Sequence, residues 1–136
     1  MRLQETPIRV VWPFVRDGLE RLAEKVPVDW RPEDVYAECV NGTAFLYLPA
    51  GPDPDGFIIF KPTTRHYSGQ RELLVWIVWG RGQRLLETYN DDVEALARVQ
   101  GFDAITFWSP RPGLEKVPER LPGWVKQTVV YERRLT

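Results

Sequence analysis

Leu73-Leu74-Val75-Trp76-Ile77-Val78-Trp79-Gly80-Arg81-Gly82 is the stretch on which the reading of the fold turns. Seven apolar residues follow one another, three of them β-branched and two of them tryptophan. Both alternating faces are therefore apolar, the mark of a central strand covered on both sides. The strand is expected over Glu72 to Trp79, and Gly80-Arg81-Gly82 breaks it. Working backwards, Asp53-Pro54-Asp55-Gly56 is strong turn chemistry and opens a strand from Gly56 to Lys61. Before it, Thr43 to Leu48 reads as another strand, closed by Pro49-Ala50-Gly51-Pro52. The short connections make these three an antiparallel meander.

Two helices precede the meander. Val11, Phe14, Val15, Leu19, Leu22 and Ala23 recur at spacings of three and four, which predicts a helix over Trp12 to Lys25. Pro13 suits its first turn, and Gly18 weakens its middle by about 1 kcal/mol. Ile8 to Val11 stays open as a short first strand. Arg31 to Asn41 predicts a second helix, with Pro32, Glu33 and Asp34 at its start and Asn41-Gly42 at its end. After Gly82 the period becomes helical again. Leu85, Leu86, Tyr89, Val93, Leu96 and Ala97, with Val99 at the margin, predict a helix over Gln83 to Gln100 with Gly101 as its stop. Ala104 to Trp108 reads as a strand. Pro110 to Pro122 has room for one short helix. Trp124 to Arg133 reads as a last strand in which Val125, Val129 and Tyr131 alternate with polar residues. The fold class is α/β (α+β): one domain over residues 1–136, with a mixed, mostly antiparallel central sheet and helices on both faces. The Glu72 to Trp108 step is expected to be a right-handed parallel crossover.

Composition narrows the function classes. The 136 residues are 43% hydrophobic and 27% charged, with a formal net charge of −1, so disorder is excluded. No global field draws the chain to nucleic acid or to an anionic membrane. Cys39 alone excludes an internal disulfide and a cysteine-rich zinc site, and fits a reducing, cytoplasmic compartment. Neither an apolar signal-peptide core nor a run near the ~20 residues of a membrane span is expected. His66, the single histidine, sits in a polar loop and cannot by itself make a metal site. Trp76, Trp79 and Trp108 near Arg81, Arg84 and Arg111 invite a base-stacking reading. Their place in covered strands makes core packing the better account.

The order helix, helix, three strands, helix, strand, short helix, strand resembles the GCN5-related N-acetyltransferase (GNAT) superfamily over residues 31 to 133. In that family the strand four loop reads Gln/Arg-x-x-Gly-x-Gly/Ala. Ile77-Val78-Trp79-Gly80-Arg81-Gly82 matches it at Gly80 and Gly82 and departs from it at Ile77. Gln83-Arg84-Leu85-Leu86 is similar to the family's leucine pair opening the next helix. Gly101 followed by Asp103-Ala104-Ile105-Thr106-Phe107 resembles the family's glycine and fifth strand. Gly123-Trp124 resembles its Gly-Phe. The family's tyrosine acid lies four residues before that glycine, where this chain has Glu119. The compact form also resembles acetyltransferase-like proteins of tailed-phage genomes.

The resemblance implies that acetyl-CoA is held by the backbone of Val78, Trp79, Gly80, Arg81, Gly82, Gln83 and Arg84, with the Arg81 and Arg84 guanidinium groups on the diphosphate. A backbone N–H near Val78 or Trp79 would meet the thioester carbonyl. Glu72 is the candidate proton acceptor and Tyr131 the candidate thiolate acid, with Glu119 a further carboxylate. Each has a plainer reading: a strand-to-helix turn at Gly80–Gly82, a strand-end carboxylate at Glu72, a loop carboxylate at Glu119 and a core tyrosine at 131. Two functions follow. One is an acyl-CoA-dependent N-acyltransferase acting on an amine. The other is a catalytically inactive phage accessory or virion protein of the same fold, acting through contacts with other protein chains.

Overall fold

A computed structural model describes residues 2–81, 84–108, 122–127 and 131–135. Within them, the chain forms strand β1 (Leu3–Glu5), a 3-10 turn (Ile8–Val10), helices α1 (Trp12–Lys25) and α2 (Pro32–Val40), and strands β2 (Phe45–Pro49), β3 (Gly56–Thr64) and β4 (Arg71–Gly80). Helices α3 (Leu85–Thr88) and α4 (Asn90–Val99) and strand β5 (Ala104–Phe107) follow. The strands lie side by side in chain order, β1 to β4 antiparallel and β5 parallel to β4. The expected mixed sheet and its meander are therefore present.

Each face of the sheet carries its own core. Ile77 and Trp79 of β4 join Val15, Leu19 and Leu22 of α1, Val35 of α2, and Leu46, Phe57 and Ile59 of the sheet. Leu73, Val75 and Val78 of β4 join Leu85 and Leu86 of α3, Val93 and Leu96 of α4, and Ile58 and Phe60 of β3. The all-apolar run is thus a strand buried on both sides. Helix α2 begins where the proline and acidic residues place it: Asp34 accepts from the Arg31 backbone N–H at 2.8 Å and from its guanidinium at 3.1 Å. Those bonds hold the Asp34 carboxyl below its ordinary range.

Gly18 is a point of contact rather than a defect in α1. A Cβ there would lie 2.6 Å from Phe57 Cε1 and 2.7 Å from Trp79 Cε3. The helix therefore presses its backbone onto two aromatic rings of the sheet. Gly56 does the same for the end of β4: a Cβ there would meet the Trp79 carbonyl oxygen at 2.2 Å and the Gly80 Cα at 2.7 Å.

Several expectations are corrected. Ile8–Val10 is a 3-10 turn, and the first strand is Leu3–Glu5, paired with Tyr47–Pro49. The helix expected over Gln83 to Gln100 is broken at Tyr89. At that break Arg2 docks: its guanidinium donates to the Thr88 carbonyl at 3.1 Å and to Asp92 at 2.9 Å, its backbone N–H donates to Asp92 at 2.8 Å, and it lies over the Tyr89 ring. A residue at the far end of the sequence takes a carbonyl that an unbroken helix would use. Trp108 lies past the end of β5 and is 79% exposed, so it belongs to no core. The described residues of the expected last strand, 124–127 and 131–133, carry no strand pairing. Of its expected dry face, Val125 and Tyr131 are exposed and Val129 lies outside the described residues. The short helix expected within 110–122 lies outside the described residues, apart from Pro122.

Two outcomes follow. Gly18→Ala raises helix propensity by about 1 kcal/mol, yet overpacking against Phe57 and Trp79 costs about 1–3 kcal/mol. Urea denaturation should show a lower midpoint, and a higher one would overturn the close contact. Arg2 holds the Asp92 carboxyl below its ordinary range, chiefly through the side-chain hydrogen bond. That stabilisation is fully present above the unfolded-state value of about 3.9 and fades as pH falls through the depressed folded value. Asp92→Asn should be less stable than the parent at pH 7, with the gap closing towards pH 2 in denaturation curves.

Candidate active site on the fourth strand

The register between β3 and β4 steps by one residue. Ile59 faces Ile77, but Phe60 faces Val75, so Trp76 is an extra residue on β4, a β-bulge. The bulge shows in the cores as well. Leu73 and Val75 point to the α3–α4 side, and past the bulge it is Val78 that does so, while Ile77 and Trp79 point to the α1–α2 side. Pairing of β4 with β5 covers Glu72↔Ala104 to Val75↔Phe107 and goes no further among the described residues. The bulge and the end of the described β4–β5 ladder therefore coincide at Trp76. Beyond them β4 runs on to Gly80 against β3 alone in the described ladder. A parted pair of strands is where an extended ligand can lie against a strand edge.

The predicted cofactor residues divide. Val78 and Trp79 lie past Trp76 on β4 with their side chains packed in opposite cores. Gly80 ends the strand opposite Gly56. The Arg81 backbone N–H donates to the Asp55 carbonyl at 2.9 Å, so that amide serves the turn. The Arg81 guanidinium lies over the Trp79 ring at 5.6 Å and 3.8 Å from Asp17 of α1. Arg84 is exposed, with its guanidinium 3.7 Å from Glu87. Gly82 and Gln83 lie outside the described residues.

The predicted acid-base residues are not brought to that end. Glu72 is buried near the start of β4, eight residues from Gly80, or about 26 Å at a strand's rise per residue. Its carboxylate takes Arg65 of the β3–β4 hairpin as an ion-pair partner and Gln70 as a second donor at 3.3 Å. Tyr131 is 89% exposed, and Glu119 lies outside the described residues. His66 sits at the exposed hairpin tip, against the Tyr67 ring. Among the described residues no cluster of histidine, cysteine, aspartate and glutamate is placed to hold a metal, and no helix is long and apolar enough to cross a membrane.

One constellation went unread in the sequence. Lys61 of β3 extends its ammonium over the Trp76 ring, 4.4 Å from the centroid, and within 2.9 Å of Glu38 Oε2 on α2. Glu38 also accepts from the Thr43 hydroxyl at 3.1 Å. Three elements thus meet at the bulge in a half-buried ion pair stacked on an indole. Neither spacing nor motif signals it, because Glu38 and Trp76 are brought together only by the sheet.

No family model matches the chain, and no curated protein does. Solved structures do. A probable acetyltransferase is 14% identical with a TM-score of 0.70, the match covering 100% of this chain and 99% of that one. The ribosomal-protein-alanine N-acetyltransferase of Brucella melitensis biovar Abortus 2308 is 19% identical with a TM-score of 0.71, over 97% of this chain and 98% of that one. An aminoglycoside acetyltransferase from an uncultured soil metagenomic sample is 11% identical with a TM-score of 0.70, over 98% and 95%. The described sheet and helices have a GNAT-like fold.

Cys39 offers a check on the site's neighbourhood. Burial, with Glu38 beside it, pushes its thiol up to about 11. At pH 7.5 it should carry about 100-fold less thiolate than an ordinary thiol and alkylate with iodoacetamide correspondingly slowly. A rate equal to that of a free thiol would contradict the packing of α2 on the sheet.

Proposed function

We propose that this protein is an acyl-CoA-dependent N-acyltransferase that moves an acetyl group to an amine. The observation that carries the reading is the bulge at Trp76, where the described β4–β5 ladder ends, on a fold shared with acetyltransferases. Acetyl-CoA supplies an acyl group already activated as a thioester. The chain's part is to hold it, to stabilise charge on the carbonyl oxygen and to accept a proton from the amine.

We assign the carbonyl contact to the β4 backbone near Trp79. A strand edge presents a row of peptide groups, and Trp79 is anchored on Gly18 and Phe57, so its backbone is held rigidly. The diphosphate falls to the backbone of Gly82 and Gln83 and to the exposed guanidinium of Arg84. Arg81 is assigned a different part, because its amide and side chain are both turned to the scaffold. It ties the loop to α1 and to the Asp53–Gly56 turn. Glu72, held by Arg65 at the far end of β4, braces the hairpin. Acceptors such as the ribosomal-protein alanine and aminoglycosides named for the similar structures are amines, and the substrate class proposed for this chain goes no further than that.

Isothermal titration with acetyl-CoA tests the reading. Saturable binding is expected, and Gly82→Val, which places a branched side chain where the loop must approach phosphate, should abolish it. No binding at millimolar acetyl-CoA would overturn the acyltransferase reading and leave an inactive protein of the same fold.

A further inference from the structure

We propose that the α4 face of the sheet carries a second ligand site, a notch for a short primary alkylammonium ion with Glu5 as its counter-ion. The site is independent of the acyltransferase reading, because β1 stands at one edge of the sheet with β2 and β3 between it and β4. Three observations carry it. A notch of about 60 Å³ lies between the sheet and the end of α4, lined by the aromatic residues Phe45, Tyr47, Phe60 and Phe102 and by Glu5 and Gln100. Glu5 of β1 faces Tyr47 of β2 in register, so its side chain stands beside that ring on the notch side. No hydrogen bond or ion pair is made to the Glu5 carboxylate among the described residues.

The lining selects its occupant by charge. Aromatic rings carry a negative face and attract cations, and a carboxylate without a partner adds to the same preference. Burial first, and then the Glu5 charge, push the Tyr47 phenol above its ordinary value, which places that charge close to the ring. Arg71 does not neutralise it. Its guanidinium lies over the Phe102 ring, 4.6 Å from the centroid, and donates to the Gln100 and Gly101 carbonyls at 3.3 Å, with no ion pair to Glu5. One ring of the notch therefore already takes a cation, while the carboxylate stays open.

Size and polarity set the rest. The notch is well below the ~150 Å³ of a cavity that admits benzene, so a slim stem enters and a ring does not. An ammonium has three N–H donors. Glu5 accepts one, and the Tyr47 hydroxyl oxygen, beside the Gln100 side chain, stands ready for another. The stem of the ligand then rests on the rings and loses its contact with water. A bare ammonium ion has no stem to bury, and an anion would meet both the rings and the carboxylate with the wrong sign. A short alkylamine, charged at neutral pH, satisfies both the polar and the apolar part of the lining.

The full chain, isotope-labelled, is titrated with n-propylammonium chloride at constant ionic strength, and amide shifts are followed by NMR. Saturable shifts are expected at Phe45, Tyr47, Phe102 and the Gln100 side chain, with half-saturation in the millimolar range that suits a ligand of so few atoms. Glu5→Gln keeps the shape and removes the charge, and should weaken binding about tenfold. Propanol, of the same length and uncharged, should bind the parent protein more weakly by a similar factor. The spectra report whether the variant is folded, and the propanol comparison needs no variant. No saturable shift at hundreds of millimolar, or shifts confined to the Gly80 end of β4, would overturn the inference. Equal binding of propanol, or unchanged binding by folded Glu5→Gln, would overturn it as well, leaving an apolar notch that does not read charge.

Discussion

Strand β4 has to satisfy two cores at once, and the extra residue at Trp76 decides how. In a regular strand, side chains alternate faces with a period of two, so one inserted residue exchanges the faces of everything beyond it. Leu73 and Val75 lie on the α3–α4 side, and without the bulge Ile77 and Trp79 would lie there too. With it they turn to α1 and α2, and Val78 alone continues towards Leu85 and Leu86. The seat of Trp79 on Gly18, the stacking of Phe57 beneath it and the docking of α3 all descend from that one residue.

The same device separates the strand into a structural half and an open half. Up to Val75 the ladder with β5 is complete, and Glu72 is locked into the hairpin by Arg65 and Gln70. Past Trp76, β4 is held at its side by β3, where Gly56 lies close against Trp79 and Gly80, and on one face by α1 through Gly18. Rigidity there comes from glycines that permit close approach and from rings that fill the space thus opened. A backbone on such a strand is positioned by packing on both faces.

The N-terminal segment has an unexpected part in this scheme. Arg2 reaches the α3–α4 junction and holds it through the Thr88 carbonyl, the Asp92 carboxylate and the Tyr89 ring. It thereby anchors the helices that follow the Gly80–Arg84 loop. Arg81, turned back to Asp17 and Asp55, anchors the other end of that loop. The loop is tied at both ends to the scaffold by arginines whose charges face carboxylates, and the charge left outward is that of Arg84.

Much of the scaffold was legible in the sequence. Prolines and glycines mark where the chain must turn, and the three-four spacing of Val15, Leu19 and Leu22 places α1 at Trp12–Lys25. The doubly apolar run announces a strand with helices on both faces, and with it the fold. These features are local, and local sterics and burial are enough to specify them. The bulge was not legible, because a run apolar on both faces looks the same whichever face each residue takes. Gly18 read as a weakness because its partners, Phe57 and Trp79, are some 40 and 60 residues away. The break at Tyr89, the exposure of Trp108 and the meeting of Glu38, Lys61 and Trp76 depend likewise on which distant surfaces come together. Sequence by itself determined α1, α2, the three-strand meander and β5, and the order in which they follow. Only tertiary packing decided which side chains meet at the parted strand, since the energy of those contacts exists only once the sheet has assembled.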